Sequence, residues 1–128
     1  TDVSALAGCA ALHTLYLAGS TGVTDISALV GCAVLHTVKI FNCEVTGVSA
    51  LAGCPRLHTL GLERCKGGVT DMSALAGCAM LHTLALQATE VADVSGLAGC
   101  AALHSLDLSW CGQLTDVSAL ADCAALHT

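Results

Sequence analysis

The chain has 128 residues, of which 55% are hydrophobic, 11% charged and only 2% aromatic, and its formal net charge is −6. That length fits one domain with one continuous core, and its only cations, Lys39, Arg56, Arg64 and Lys66, form no cluster of the kind phosphate binding needs, which argues against nucleic acid as the partner. Polar residues interrupt every apolar stretch before it reaches the roughly 18 residues of a membrane span, and no basic-then-apolar leader opens the chain, which does not begin with Met.

The sequence repeats itself from its first residue. Units open at Thr1, Thr24, Thr46, Thr70, Ala92 and Thr115, at spacings of 23, 22, 24, 22 and 23 residues. They make residues 1–128 a single repeat domain whose last unit stops early. In the first unit, Asp2 and Ser4 can cap a short helical turn that Gly8 ends. The segment is too short for more than a turn or two, which predicts 3₁₀ or brief α-helix on a convex side. Leu6 and Leu12 point inward from that turn. Alternation through Thr14–Ala18 then sends Leu15 and Leu17 to one face and Thr14, Tyr16 and Ala18 to the other, the pattern of a strand. Such a strand needs neighbours, and the next unit supplies one in parallel about 4.8 Å away. Val23 turns inward again and the second unit begins.

The pattern of the units is Leu-x-x-Leu-x-Leu-x-x-Cys/Ser/Thr, as in Leu103-His104-Ser105-Leu106-Asp107-Leu108-Ser109-Trp110-Cys111, with Val38 and Ile40 at two of its Leu positions in the second unit. This resembles the leucine-rich repeat family over the whole chain. The flanking Thr-Asp-Val/Ile/Met-Ser-Ala-Leu segment is most similar to the short repeats of internalins and phosphatase regulatory subunits. The Cys before the first Leu, and the Cys where Asn is commoner, resemble the cysteine-containing class. The resemblance implies an α/β solenoid: an arc with a concave parallel β-sheet and short 3₁₀ or α turns on the convex side. It also implies a scaffold for binding, and a scaffold leaves the partner unspecified.

Differences between units separate the scaffold from the variable surface. Leu6, Leu29, Leu51, Leu75, Leu97 and Leu120 share one core slot. The outward mid-strand slot instead holds Tyr16, Lys39, Gly61, Ala85 and Asp107. The slot after the last strand Leu or Ile holds Ala18, Phe41, Glu63, Gln87 and Ser109, and the following one Gly19, Asn42, Arg64, Ala88 and Trp110. These slots contain the chain's only Tyr, Phe and Trp, whereas a core would have drawn the aromatics inside. Drift at unconstrained solvent positions explains the variability but not that placement. Exposed aromatic and Arg side chains on a rigid surface are what binding hot spots are made of. The candidate binding residues are therefore Tyr16, Lys39, Phe41, Asn42, Glu63, Arg64, Gln87, Asp107, Ser109 and Trp110.

Three columns recur. His13, His36, His58, His82, His104 and His127 share one slot, and charging stacked imidazoles below about pH 6.5 would make them repel, so stability is expected to fall on acidification. A metal site draws unlike ligands to one point, whereas these histidines occur in every unit, so no metal is expected. Of nine cysteines, Cys9, Cys32, Cys54, Cys78, Cys100 and Cys123 precede the core Leu, and Cys43, Cys65 and Cys111 take the Asn slot. Free Cys packs as a small hydrophobe, and an odd count spread over repeat slots is no disulfide framework. That favours a reducing, cytoplasmic setting over secretion. No Cys-His pair stands apart from its repeat equivalents, so no catalytic residue and no cofactor are expected. Asp2, Asp25, Asp71, Asp93 and Asp116 fit turn caps better than a calcium site.

Both ends read as ordinary repeat interior, without the shielding repeats that usually close a solenoid. Two expectations follow: a fragment of a longer array that binds a protein or peptide ligand, or a self-assembling repeat that stacks end to end on its own copies.

Overall fold

The computed structural model describes residues 3–127, so the unit start at Thr1 and the cap expected of Asp2 lie outside the described residues. Five strands, β1 (Thr14–Ala18), β2 (Thr37–Phe41), β3 (Thr59–Gly61), β4 (Thr83–Ala85) and β5 (Ser105–Asp107), pair in parallel in the order β1-β2-β3-β4-β5. The register aligns repeat equivalents: Leu15 opposite Val38, Val38 opposite Leu60, Leu60 opposite Leu84 and Leu84 opposite Leu106. Parallel neighbours require a crossover, and here each crossover runs through a 3₁₀ helix on the opposite side. These helices are Ser4–Leu6, Ser27–Gly31, Ser49–Gly53, Ser73–Gly77, Ser95–Gly99 and Ser118–Asp122. The result is a solenoid arc with its sheet on the concave side. Elements touch only those of the adjacent coil.

The core lies between sheet and helices. In the middle coils Leu51, Leu57, Leu60, Leu62, Leu75 and Leu81 are all fully buried, and burying one Leu stabilises by about 1.5–3 kcal/mol. Toward the ends of the described chain the same slots are only half-buried, at Leu12 and Leu17 on one side and Leu106, Leu108 and Leu126 on the other, because the stack covers these side chains less completely than those of the middle coils.

Aspartates do cap the convex turns, though not from the N-cap position. Asp25 Oδ1 accepts the Ser27 N–H at 2.7 Å and Oδ2 accepts its hydroxyl at 3.0 Å. Asp71 treats Ser73 the same way. The N-caps themselves are Ile26 and Met72, so the device is an Asx turn one residue earlier. The main-chain N–H of Ser95 and of Ser118 holds the carboxyls of Asp93 and Asp116 below the usual carboxylate range. Gly8 is left-handed, with φ +86°, but its equivalents Gly31, Gly53, Gly77 and Gly99 are the last residues of their helices and keep ordinary φ values.

Thiols tie coil to coil. Cys54, Cys78, Cys100 and Cys123 donate to the carbonyls of Leu29, Leu51, Leu75 and Leu97 in the preceding coil, at 3.3–3.5 Å. In the second column Cys65 and Cys111 reach back to the carbonyls of Ile40 and Leu86. Thr89 takes the same slot and donates to the Leu86 carbonyl of its own coil at 2.8 Å. Burial pushes the Cys54 and Cys100 thiols up to about 11, which suppresses the thiolate that reacts. Timed alkylation at neutral pH, read by peptide mass spectrometry, is expected to modify the half-buried Cys9 and Cys111 well before Cys54, Cys78 and Cys100. Uniform labelling would contradict this packing.

Candidate functional site

The outward side chains of the strands and of the residues just after them make the concave face. Tyr16, Lys39, Gly61, Ala85 and Asp107 stand in one row across β1 to β5. Phe41, Glu63, Gln87 and Ser109 occupy the next slot, and Asn42, Arg64 and Trp110 the one beyond. All ten candidate residues are exposed or half-exposed, and the three aromatics stand far out: Tyr16 is 65% exposed, Phe41 41% and Trp110 82%. The core contains no aromatic residue.

Beyond each strand the backbone reverses through a left-handed residue. Gly19, Asn42, Arg64, Ala88 and Trp110 have φ values of 64°, 54°, 58°, 56° and 62°. The N–H groups of Gly19, Asn42, Arg64 and Ala88 donate at 2.8–3.0 Å to the preceding slot of the next coil, the carbonyls of Phe41, Glu63, Gln87 and Ser109. Gly and Asn tolerate this conformation, but other L-residues pay about 1–2 kcal/mol. Sequence reasoning missed the feature, since only Gly19 and Asn42 are residue types that signal it. Ala88→Gly is therefore expected to stabilise the fold by roughly 0.5–1 kcal/mol, measurable by urea unfolding; a loss of stability would show that the turn is unstrained.

Contacts within the face divide it. The Lys39 ammonium sits 5.9 Å from the Tyr16 ring centroid, and the Arg64 guanidinium 5.6 Å from that of Phe41. Each cation thus leans back over the aromatic ring of the coil before it. Glu63 bends over Gly61, its Oε2 2.8 Å from where a Cβ would stand, and this covers a dip in the mid-strand row. Asp107 accepts the Ser109 N–H at 2.9 Å and also its hydroxyl. Those two bonds hold its carboxyl below the usual range, so Asp107 and Ser109 serve the turn as well as facing solvent.

Beside this face the six histidines form a ladder of near-parallel rings, 4.5–4.9 Å between centroids. The cause is main-chain. Each His carbonyl from His13 to His82 accepts two N–H groups from the next coil, as His13 does from His36 at 2.8 Å and Thr37 at 3.1 Å. In four coils Nδ1 also bonds the hydroxyl of the following Thr, at 3.1–3.3 Å. The Thr14, Thr37, Thr59 and Thr83 column recurs in the sequence as visibly as the histidines. Among the described residues no group of three or more His, Cys, Asp or Glu could hold a metal ion. None of the helices there is long and apolar enough to cross a membrane.

No protein-family model and no curated protein matches the sequence. Solved structures do match. Internalin C2 of Listeria monocytogenes is 32% identical with a TM-score of 0.89, over 97% of this chain and 53% of that one. An internalin, inlF, of the same organism is 27% identical with a TM-score of 0.85, over 91% of this chain and 34% of that one. The chain thus spans about half and about a third of their lengths. The plant peptide hormone receptor RGFR1, solved in complex with RGF2, shares the fold at 17% identity with a TM-score of 0.70, over 96% of this chain and 24% of that one.

Proposed function

The chain belongs to the leucine-rich-repeat family, and on that premise we propose that it is a non-enzymatic binding module whose concave face takes a protein or peptide partner. The observation that carries this reading is the placement of the three aromatics outside a core that has none: Tyr16 and Phe41 exposed on the outer face of β1 and β2, and Trp110 exposed in the turn after β5. Large rigid rings bury much area for little entropy, which is why Trp and Tyr, with Arg, dominate binding hot spots. Trp110 supports the reading twice, being 82% exposed and held in a left-handed conformation that a Gly would adopt without strain. Arg64, in the same strained slot, adds the third hot-spot residue type. The similar structure of a peptide hormone receptor with its ligand is consistent with peptide capture by this fold.

The test is selection of peptides from a random displayed library on the immobilised protein. A variant carrying Tyr16→Ala, Phe41→Ala and Trp110→Ala serves as the comparison. Because these side chains lie outside the core, the variant is expected to keep its melting temperature within a few degrees. Selected peptides should bind it at least about tenfold more weakly, a loss of about 1.4 kcal/mol. Peptides that bind both proteins equally would sink the reading.

A further inference from the structure

The concave face of this acidic chain, net charge −6, carries two cations, Lys39 and Arg64. Among the described residues neither side chain has an ion-pair or hydrogen-bond partner, and the ring beneath each is its one polar-type contact. This is unexpected of a chain with ten carboxylates, one of them on the adjacent Glu63. That carboxylate turns instead over Gly61. Arg64, at a left-handed φ of 58°, lays its guanidinium 5.6 Å from the Phe41 ring centroid. A guanidinium resting on a ring keeps its edge of N–H donors available and has already lost part of its rotamer freedom. The Lys39 ammonium on Tyr16 is held in a similar way on the neighbouring coil.

We propose that Lys39 and Arg64 form a carboxylate-recognition patch, so that the partner segment lying on the concave face is an acidic stretch of a protein. Charge complementarity carries the choice of occupant. Two unpaired cations pre-set on aromatic platforms match side-chain carboxylates, which Arg can grip through two parallel bonds. The same charges fix the direction of the segment. Glu63, turned over Gly61, and Asp107, at the far end of the row, repel acidic residues, so these lie against the Lys39 and Arg64 side chains themselves. An apolar residue of the partner then meets Trp110.

The inference rests on the binding reading above, and the experiment separates their failures. The probes are two synthetic octapeptides, (Glu-Ser)₄ and (Gln-Ser)₄, titrated calorimetrically at low salt. The targets are the protein, its Lys39→Gln/Arg64→Gln variant, and an Arg56→Gln/Lys66→Gln variant that removes the same charge elsewhere. Circular dichroism confirms that each is folded. The Glu peptide is expected to bind the unaltered protein at least tenfold tighter than the Gln peptide. That advantage should vanish in Lys39→Gln/Arg64→Gln and stay within twofold in Arg56→Gln/Lys66→Gln. Equal binding of the two peptides, no binding of the Glu peptide, or equal losses in both variants would each overturn the proposal. If library peptides still depended on Tyr16, Phe41 and Trp110, only the carboxylate patch would fall. If they did not, the binding face itself would be wrong.

Discussion

Lowering the pH from 7.5 to 5.0 is expected to reduce the melting temperature by about 10 °C, the equivalent of roughly 2–3 kcal/mol for a chain of this size. The six imidazoles stand face to face at 4.5–4.9 Å, so two adjacent charges repel by about 1 kcal/mol even in a water-like dielectric. Burial, then the neighbouring His36 and His82, hold His58 below its usual value of 6.5. In the unfolded chain His58 is neither buried nor stacked, so there it takes up its proton first as the pH drops below about 6.5. Stability is therefore complete above that pH and drains away as the pH falls through the lower folded value. Asp93, Asp107 and Asp116 are held below their ordinary 3.8, so their stabilising contribution persists below this window. Thermal unfolding at the two pH values measures the effect, and His58→Gln should shrink it. An unchanged melting temperature would mean that the ladder accommodates its protons without cost.

Restoring a repeat's commonest residue is expected to damage the protein at one position. Where other units have Ala5, Ala28, Ala50, Ala74 and Ala119, the fifth has Gly96. A Cβ there would stand 2.4 Å from the Met72 carbonyl oxygen and 2.7 Å from the Ser73 Cα. Both atoms are backbone, so relief requires the fourth and fifth coils to separate. Overpacking of this kind typically costs about 1–3 kcal/mol, and Gly96→Ala is expected at the upper end because coil separation also loosens the layer beneath. The reciprocal Ala74→Gly should lose less, of order 0.5–1 kcal/mol from chain entropy alone. Urea unfolding of both variants decides the matter. If Gly96→Ala proved as stable as the parent, the close approach of these coils would be wrong.

How much of this was legible depended on whether a feature repeats. Leu29, Leu51 and Leu75 declared the core because they return at one slot, and period-two alternation through Thr14–Ala18 declared the strand. The short segment from Ser27 to Gly31 limited the convex turn to 3₁₀ or brief α-helix, and the structure forms the 3₁₀ helix. The rows of variable residues were readable as an outward face by the same comparison. What stayed hidden depended on backbone angles and on contacts between coils. Arg64, Ala88 and Trp110 are poor markers of a left-handed turn, so only the structure reveals that their φ values match Gly19. The seating of Lys39 on Tyr16 and of Arg64 on Phe41 needs the register between coils as well as side-chain directions. The need for Gly at position 96 comes from the Met72 carbonyl of the coil before it, a contact that no sequence pattern marks.

Because every coil touches only the next, a disturbance at the first strand can reach the fifth only through the coils between them. The stack offers no shortcut for a signal. Substitutions near Tyr16 and near Trp110 should therefore combine additively, as independent sites do. A ligand long enough to reach both ends changes the situation, since it supplies the connection the protein lacks. Its second contact then forms at the effective concentration set by its own length and stiffness. Discrimination between short and long partners would reside in the ligand's span across the arc, with no change of shape in the protein.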